Sequence, residues 1–195
     1  MDCYLLYPLV FFAVALALYL KFFANGNSLV GSHDGVPQHL NSLAYYGKYL
    51  RKVLYTLFIE HKLSLPLWDM HIGYGSDILT TLHYYVIGDP LTLLSVFVPA
   101  SKTEALYAFL IFLRIYLAGI AFSRYSFYHK NSKQATFMGT MIYIFAGWTI
   151  YAAMKHPYFS NPMIYLPLIL LGIDKIYKKQ KPYVFIWSVA LAGLS

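Results

Sequence analysis

Long runs of apolar residues, separated by short polar stretches, extend along the whole sequence. A run of about twenty apolar residues is long enough to cross the hydrocarbon core of a bilayer, which is roughly 30 Å thick. Hydrophobic residues make up 59% of the 195 residues and charged residues only 12%, whereas soluble domains carry roughly 25% charged residues. The pattern therefore excludes an ordinary soluble domain and a disordered chain. It predicts an all-α, polytopic transmembrane protein.

Five apolar runs are predicted to cross or enter the membrane. The first lacks a basic leader and a cleavage site of small residues, so it is predicted to be a retained anchor rather than a signal peptide. The last stops with the sequence while it is still too short to cross. We therefore expect this chain to be the N-terminal part of a longer protein. The runs cover residues 4–23, 104–123, 135–153, 163–177 and, incompletely, 183–195.

Basic residues are concentrated in two of the loops between the predicted spans. The loop after the second span carries Arg124, Lys130 and Lys133, and the loop after the fourth carries four lysines, whereas the loop after the third carries Lys155 alone. Short loops rich in Lys and Arg lie on the cytoplasmic side, which places the N-terminus inside and the long segment 24–103 outside the cell membrane. Topology accounts for the net charge of +7, so membrane lipid and no nucleic acid is the expected partner.

The predicted external segment 24–103 holds most of the ionisable groups that are not needed for topology. Five of the eight acidic residues and five of the seven histidines lie in it. A plain membrane anchor has no use for such a loop, whereas an enzyme that works at the outer surface needs one. The acids are Asp34, Glu60, Asp69, Asp77 and Asp89, and the histidines are His33, His39, His61, His71 and His83.

Two elements are predicted within this segment. Residues 37–62 have helical periodicity, with leucines on one side, polar residues on the other and several tyrosines suited to the headgroup region. They indicate an interfacial helix on the outer leaflet, although a helix packed on the other spans with no lipid role fits the same pattern. Residues 78–98 are long enough to span, but Gly88-Asp89-Pro90 interrupts them. Because a charge and a helix breaker are costly in lipid, we expect 78–98 to be re-entrant or interfacial.

Four groups of short motifs follow one another along nearly the whole chain. They are GSHDGVPQ at 31–38, LPLW and GYG within 65–75, DPLTLL at 89–94, and HPYF and LPL within 156–168. In order and spacing they resemble the N-terminal part of the bacterial YfhO-type membrane proteins, a family that is similar to the GT-C class of membrane glycosyltransferases. The resemblance implies a GT-C-like enzyme with many spans. Such an enzyme takes a sugar from a polyprenyl-phosphate carrier and transfers it, on the extracytoplasmic face, to a cell-envelope polymer such as a teichoic acid.

Asp34 is the predicted general base of that transfer. A displacement at the anomeric carbon needs a base that takes the proton from the attacking hydroxyl, and a carboxylate near the membrane surface can do so. The GT-C resemblance implies a catalytic acid in the first external loop, and Asp34 matches it. Because Gly35 follows where some GT-C enzymes have a second acid, a carboxylate pair would need Asp69, Asp77 or Asp89. The alternative is structural, since Asp-Gly before Val-Pro also predicts a turn in which Asp34 hydrogen-bonds its own backbone.

The other candidate residues are predicted substrate contacts. The departing lipid phosphate needs positive charge or hydrogen-bond donors, and a guanidinium inside a span is costly unless it pairs or lines a wet cavity. Structural alternatives stay open, namely an ion pair for Arg114 and solvated surface charges for Arg51 and Lys52. The histidines and acids match no zinc pattern, and they leave open whether a divalent cation takes part. The candidates are His33, Gln38, Arg51, Lys52, Trp68, Asp89, Arg114 and His156.

Other classes of function receive less support from the sequence. There is no Walker-type phosphate loop, no Gly-x-Ser-x-Gly elbow and no HExxH helix, which argues against ATP-driven transport and the common hydrolases. A membrane transporter or lipid flippase would also carry a charge such as Arg114 and a helix broken at Asp89-Pro90, but most polar residues here lie outside the spans. The third alternative is a non-enzymatic membrane scaffold, which would tolerate the loss of every acid in 24–103.

Overall fold

The computed structural model describes residues 3–195, with side chains from residue 6 onward, and most of this part of the chain is helical. Short non-α elements connect the helices: a two-stranded hairpin, a π-helical turn at Gly35–Leu40, and 3-10 segments at Pro90–Phe97, Ala100–Lys102 and Pro157–Ser160. The strands are Trp68–Asp69 (β1) and Ser76–Asp77 (β2). The α-helices are Cys3–Ala24 (α1), Asn41–Phe58 (α2), Ile78–His83 (α3), Thr103–Tyr128 (α4), Lys133–Ile144 (α5), Gly147–Lys155 (α6), Asn161–Tyr177 (α7) and Tyr183–Leu194 (α8).

The chain folds into two compact units. The first, the helical unit, consists of the residues up to Leu29 together with Ile111–Gly193. The second, the loop unit, consists of Val30–Leu110 with the last two residues. Most of the segment 24–103, which the sequence predicts to be external, lies in the loop unit. This segment is therefore a folded body and not a loose connection between two spans.

One stripe of α1 packs inside the helical unit. Phe11, Ala15 and Tyr19 are at most 6% exposed, and their spacing of four residues places them on one face of the helix. The other face is apolar as well, because Leu9 is 67% and Phe12 63% exposed. An apolar face of this kind on a helix of membrane-spanning length is the surface that contacts lipid.

A glycine allows α1 and α4 to approach closely. The Tyr7 hydroxyl donates to the carbonyl oxygen of Tyr116 at 2.8 Å, and the two rings stack with centroids 5.0 Å apart. A Cβ atom on Gly119, one turn further along α4, would overlap the Tyr7 hydroxyl. Small residues at such positions are a common basis for helix packing in membranes.

Within residues 3–195, two helical stretches are long and apolar enough to cross a membrane, Leu6–Ala24 and Ala100–Tyr128. α5 and α6 count as a third span only if they are taken together, and they are bent by 43° at their junction. α7 has 17 residues and α8 has 12, both short of the roughly 20 residues of a full span. The five predicted runs thus correspond to two long helices, one bent pair and two shorter helices.

The bend between α5 and α6 differs from the single straight span that residues 135–153 predict. α5 ends at Ile144 and α6 begins at Gly147, so the carbonyls at the end of α5 lose their partners in the next turn. The Thr149 hydroxyl donates to the carbonyl oxygen of Tyr143 at 3.2 Å. This hydrogen bond satisfies one of the carbonyl groups that lack a helical partner at the break, as expected for interrupted helices at membrane depth.

α2 is the longest element of the loop unit and packs on the 3-10 segment Pro90–Phe97. Leu43, Tyr46 and Gly47 are its buried residues. A Cβ atom on Gly47 would lie 2.6 Å from the carbonyl oxygen of Ser95, so this glycine is the point of closest approach. The helical periodicity of residues 37–62 corresponds to the π-helical turn and α2 together, and the helix ends at Phe58.

Residues 78–98 do not form one helix. α3 ends at His83, and the 3-10 segment begins only at Pro90. The Asp89 carboxylate accepts a hydrogen bond from the Leu91 amide at 2.9 Å and so caps the start of the 3-10 segment. The charge and the proline that make a continuous span costly are thus the residues that start a new element.

Candidate functional site

Asp34, the predicted base, lies at the start of the π-helical turn in the loop unit. Its main-chain carbonyl accepts hydrogen bonds from the amides of Gln38 at 3.2 Å and His39 at 3.1 Å. The second bond spans five residues and makes this turn wider than an α-helical turn, a feature that occurs frequently at functional sites. Asp34 itself is partly exposed, whereas His39 is buried.

A chain of side-chain hydrogen bonds holds the Asp34 carboxylate. The Gln38 amide donates from Nε2 to Asp34 Oδ1 at 3.2 Å, and the Tyr85 hydroxyl donates to Gln38 Oε1 at 3.0 Å. The Tyr85 ring also packs edge-on against the His39 ring. Asp34 precedes the π-helical turn, but its side chain does not cap that turn. The carboxylate is instead oriented by Gln38 and, through Gln38, by Tyr85. We call Asp34, Gln38, His39 and Tyr85 the Asp34 cluster.

A second feature of the loop unit is a cleft of about 330 Å³ between α2 and the hairpin. The Tyr45 hydroxyl donates to Asp69 Oδ2 at 2.6 Å, and the Tyr49 hydroxyl donates to the carbonyl oxygen of Pro66 at 3.2 Å. These two bonds attach the hairpin to α2. The volume is at the lower end of small-molecule sites, which range from roughly 300 to 1,000 Å³. We call it the α2–hairpin cleft; besides Tyr45, Tyr49 and Asp69, it is lined by Lys48, Lys52, Trp68 and His71.

The hairpin presents Trp68 and Asp69 to this cleft. β1 and β2 pair in antiparallel register, with Trp68 opposite Asp77 and Asp69 opposite Ser76. The turn between the strands requires positive φ angles, and glycines supply them at Gly73 (61°) and at position 75 (106°). The Gly-Tyr-Gly motif thus closes the hairpin that carries one wall of the cleft.

Asp69 is the carboxylate that lines the cleft, and its oxygens accept several hydrogen bonds. Besides the bond from Tyr45, it accepts bonds at Oδ1 from the His71 amide and from His71 Nδ1, both at 2.8 Å. The Tyr45 bond first, and then the two His71 bonds, hold the pKa of Asp69 well below its ordinary value. On the other side, burial and the bond to Asp69 raise the pKa of the Tyr45 phenol. The carboxylate is therefore ionised, and both of its oxygens are engaged.

The other acids proposed as partners of Asp34 have capping roles. Asp77 Oδ1 accepts the Thr80 amide at 2.7 Å and the Thr80 hydroxyl at 2.9 Å, which caps α3 and lowers the pKa of Asp77. Asp89 caps the 3-10 segment, as described above. Gln38 is a hydrogen-bond neighbour of Asp34, whereas Asp77 and Asp89 bond main-chain amides.

Two predicted substrate contacts in the loop unit have different environments. Arg51 Nη1 donates to the carbonyl oxygens of Ser95 at 2.9 Å and Val98 at 2.7 Å, so its charge stabilises the end of the 3-10 segment. His33 is exposed to solvent next to Asp34 in sequence.

The last two candidates, Arg114 and His156, belong to the helical unit. Arg114 is 1% exposed, and its Nε donates to Asn161 Oδ1 at 2.9 Å. Its guanidinium also lies 4.9 Å from the centre of the Tyr158 ring, a cation–π arrangement. His156 directly follows α6 and packs on the Phe159 ring, with centroids 4.8 Å apart. Arg114 thus connects α4 with the start of α7.

Comparison with known proteins gives a match over almost the whole chain. The model of the family described as "Bacterial membrane protein YfhO" matches residues 5–193. The chain belongs to the YfhO family of bacterial membrane proteins. A relative from Bacillus subtilis (strain 168), named "Uncharacterized protein YfhO", is 25% identical over 194 residues, covering 91% of this chain and 21% of the relative. The chain therefore spans about a fifth of that relative's length. No solved structure matches.

The cleft of this YfhO-family chain contains residues that sequence reasoning missed. Lys48, Tyr45, Tyr49 and His71 were not among the candidates, although Lys52 and Trp68 were. One local signal was available, because an Asp and a His two residues apart in a turn can bond each other, as Asp69 and His71 do. The contacts of the tyrosines, by contrast, join residues 17 to 24 positions apart, and no local pattern predicts them.

The question of a metal ion was left open by the sequence. Across residues 6–195, whose side chains the structure describes, no three His, Cys, Asp or Glu side chains are grouped in a way that could hold a metal ion. The groups that hydrogen-bond the carboxylates of Asp34 and Asp69 include amide, phenol and imidazole groups, which also suit hydrogen bonding to a polar organic ligand.

Proposed function

We propose that this protein is a membrane glycosyltransferase that moves a sugar from a polyprenyl-phosphate-linked donor to a cell-envelope acceptor, such as a teichoic acid, on the extracytoplasmic face. Asp34 is the general base. In one displacement, the acceptor hydroxyl oxygen forms a bond to the anomeric carbon, and the bond from that carbon to the phosphate oxygen breaks. The electron pair leaves with the polyprenyl phosphate, and the hydroxyl proton goes to Asp34.

The observation that carries this proposal is the way in which the Asp34 carboxylate is held. It is partly exposed, it lies at a π-helical turn, and Gln38 and Tyr85 orient it through side-chain bonds. A base must be positioned before the reaction and must stay accessible to the hydroxyl it deprotonates. Both requirements are met by Asp34. Membership of a bacterial membrane protein family is consistent with a lipid-linked donor.

The test is the transfer of radiolabelled sugar from a polyprenyl-phosphate donor into envelope polymer by the full-length protein in membrane vesicles. Asp34→Asn removes the base but keeps the size of the side chain, so transfer should fall by at least about a hundredfold. Glu60→Gln is the matched control, because Glu60 is an exposed acid of the same unit, two residues beyond the end of α2. Equal transfer by the Asp34→Asn variant and the wild type, at equal amounts of inserted protein, would refute Asp34 as the base.

The orientation has a separate test, which uses exposed tyrosines as positions for cysteine. Tyr74 is fully exposed at the tip of the hairpin, and Tyr177 is 84% exposed at the end of α7. In a background from which every other cysteine of the full-length protein, Cys3 included, has been removed, Tyr74→Cys should react with a membrane-impermeant thiol reagent added to intact cells. Tyr177→Cys should react only after permeabilisation. The opposite pattern would place the loop unit in the cytoplasm and would exclude an extracytoplasmic reaction.

A transporter or flippase is the second candidate, and the bend between α5 and α6 is the observation that favours it. Broken helices and a buried charge such as Arg114 are typical of transport proteins. Such a protein would move a labelled lipid-linked sugar across the bilayer of a proteoliposome with no acceptor present. It would also tolerate Asp34→Asn. Movement that survives this substitution, together with the absence of transfer, would select the transporter.

A further inference from the structure

The α2–hairpin cleft contains positive charge that its own residues do not neutralise. Lys48 and Lys52 line it from α2, and their spacing of four residues places them on one face of the helix, about 5–6 Å apart at Cβ. Both are exposed. Asp69 is the single acid among the lining residues, and its oxygens accept three hydrogen bonds from Tyr45 and His71. Two lysines therefore line the same cleft as a carboxylate that is already hydrogen-bonded.

The walls of the cleft are fixed before any ligand arrives. The tyrosine hydroxyls of α2 bind the chain on either side of Trp68, at Pro66 and at Asp69. A site whose side chains are already ordered loses less conformational entropy on binding. The two lysines extend from the same helix, so their main-chain positions are fixed relative to an aromatic wall.

Trp68 provides the aromatic part of that wall. It is 60% exposed, although an indole ring of this size normally buries much of its surface. Its Nε1 lies 3.3 Å from Met70 Sδ, which orients the ring within the hairpin. An exposed, oriented indole offers a flat apolar face to the C–H groups of a sugar or polyol. A phosphate and a hydroxylated carbon skeleton are therefore the two ligand parts that this cleft suits.

From this arrangement we propose that the α2–hairpin cleft binds a phosphate ester of a sugar or polyol, with Lys48 and Lys52 on the phosphate and Trp68 on the carbon skeleton. The proposal rests on the proposed function for its choice of ligands, because that reaction supplies two phosphate esters. One is the polyprenyl-phosphate-linked donor, and the other is an acceptor polymer with a polyol phosphate backbone. Charge-assisted bonds from ammonium groups to phosphate are among the stronger hydrogen bonds in proteins.

The cleft and the Asp34 cluster belong to one continuous helical segment. Tyr45 follows Gln38 by seven residues, which corresponds to about 10 Å along a helix axis. The π-helical turn Gly35–Leu40 runs directly into α2 at Asn41. A phosphate ester bound in the cleft is therefore held by the same rigid element that begins at Asp34, which is how a binding subsite is kept at a fixed distance from a base.

The test measures direct binding to the purified full-length protein in detergent by isothermal titration calorimetry. One arm uses a sugar linked to a short-chain polyprenyl phosphate, and the other uses a water-soluble glycerol phosphate oligomer. The variant Lys48→Gln/Lys52→Gln should weaken binding about tenfold or more for the ligand that occupies the cleft. The matched control, Lys62→Gln/Lys102→Gln, removes two exposed lysines of the same unit that do not line the cleft and should bind like the wild type.

The outcomes separate this site from the catalytic proposal. Weakening in the lipid arm alone assigns the cleft to the donor, and weakening in the oligomer arm alone assigns it to the acceptor. Equal binding by the Lys48→Gln/Lys52→Gln variant and the wild type in both arms, or no binding by the wild type, overturns the site. If the lysine variant loses binding while the wild type transfers no sugar, the cleft stands and the proposed function fails. If Asp34→Asn abolishes transfer while the lysine variant binds normally, only the cleft assignment fails.

Discussion

Arg51 Nη1 donates a hydrogen bond to the carbonyl oxygen of Val98 at 2.7 Å, and the same nitrogen lies 2.9 Å from the carbonyl oxygen of Ser95. The guanidinium thus occupies the carboxyl end of the 3-10 segment Pro90–Phe97, where carbonyl groups lack helical partners. From the sequence alone, Arg51 is a candidate phosphate ligand, and a solvated surface charge is the alternative. These bonds favour a third role, in which the charge ties α2 to the segment that it packs against.

The first prediction is that Arg51→Gln destabilises the loop unit. Hydrogen bonds from a charged donor contribute roughly 1.5–3 kcal/mol, and Arg51 is only partly buried, so we expect a loss of about 2 kcal/mol. Thermal unfolding of the detergent-solubilised protein, followed by protease cleavage of the loop unit, measures it. Lys52→Gln, at the next and exposed position, should leave unfolding unchanged. An unchanged unfolding temperature of the Arg51→Gln variant would refute the structural role of Arg51.

The second prediction concerns the close approach of α2 to the 3-10 segment. Gly47→Ala places a Cβ atom 2.6 Å from the carbonyl oxygen of Ser95, and main-chain atoms move only at a cost. Overpacking of this kind typically costs roughly 1–3 kcal/mol, so the unfolding temperature should fall. Gly147→Ala is the control, because a Cβ atom there meets nothing within 4 Å and alanine favours a helix. Equal changes of the unfolding temperature in the two variants would contradict a close approach at Gly47.

These contacts illustrate how far the sequence predicts the fold. The amphipathic period of residues 37–62 predicts a helix because it is a local pattern, and α2 covers Asn41–Phe58 of it. The partner of Arg51 lies 44 to 47 residues further along the chain. Hydropathy and spacing contain no information on such a pair. Hydropathy does not predict the bend between α5 and α6 either, because the bend depends on a few residues within an otherwise continuous apolar run.

The candidate site was predictable to a similar extent. Asp34 was found from its motif and from its place after the first span, both of which are sequence features. The side chain that orients it through Gln38 is Tyr85, 47 residues beyond Gln38. In the sequence, Lys48 does not differ from other exposed lysines of an amphipathic helix. The structure shows that it lines the same cleft as Trp68 and Asp69. The chemistry of single residues was therefore accessible, and their assembly required the structure.

The third prediction tests the orientation of Asp34 by the hydrogen-bonded chain. Tyr85→Phe removes only the hydroxyl that bonds Gln38, so the carboxylate should lose order while remaining present. We expect kcat for sugar transfer to fall about tenfold, which corresponds to roughly 1.4 kcal/mol in the transition state, with KM unchanged. Tyr84→Phe, at the neighbouring and exposed position, should leave both kcat and KM unchanged. A rise of KM alone would indicate that Tyr85 contacts substrate instead.

The fourth prediction concerns pH and Asp69. Hydrogen bonds lower the pKa of this carboxyl in the folded protein below its ordinary value of 3.8. The stability that these bonds supply is therefore fully present above that ordinary value. It is lost progressively as the pH falls below it towards the native pKa. Asp69→Asn should flatten the decrease of the unfolding temperature between pH 5 and acid conditions near pH 3, roughly the window in which linkage acts. Glu60→Gln should retain the wild-type slope, and an identical slope for Asp69→Asn would contradict this linkage.

The fifth prediction tests whether Arg114 has a structural role between helices or binds the lipid phosphate. Its guanidinium is buried, bonded to Asn161 and placed over the Tyr158 ring, which is the environment of a group that holds helices together. Asn161→Ala leaves the buried Nε without its amide partner, and an unsatisfied donor on a charged group costs roughly 3 kcal/mol. The variant should unfold at a lower temperature while the protein that remains folded binds the lipid-linked donor with unchanged affinity. Asn161→Ser, which keeps a hydroxyl acceptor, should recover part of the stability. Lower donor affinity at full stability would instead identify Arg114 as a ligand of the lipid phosphate, because its charge would then act on the substrate and not on α7.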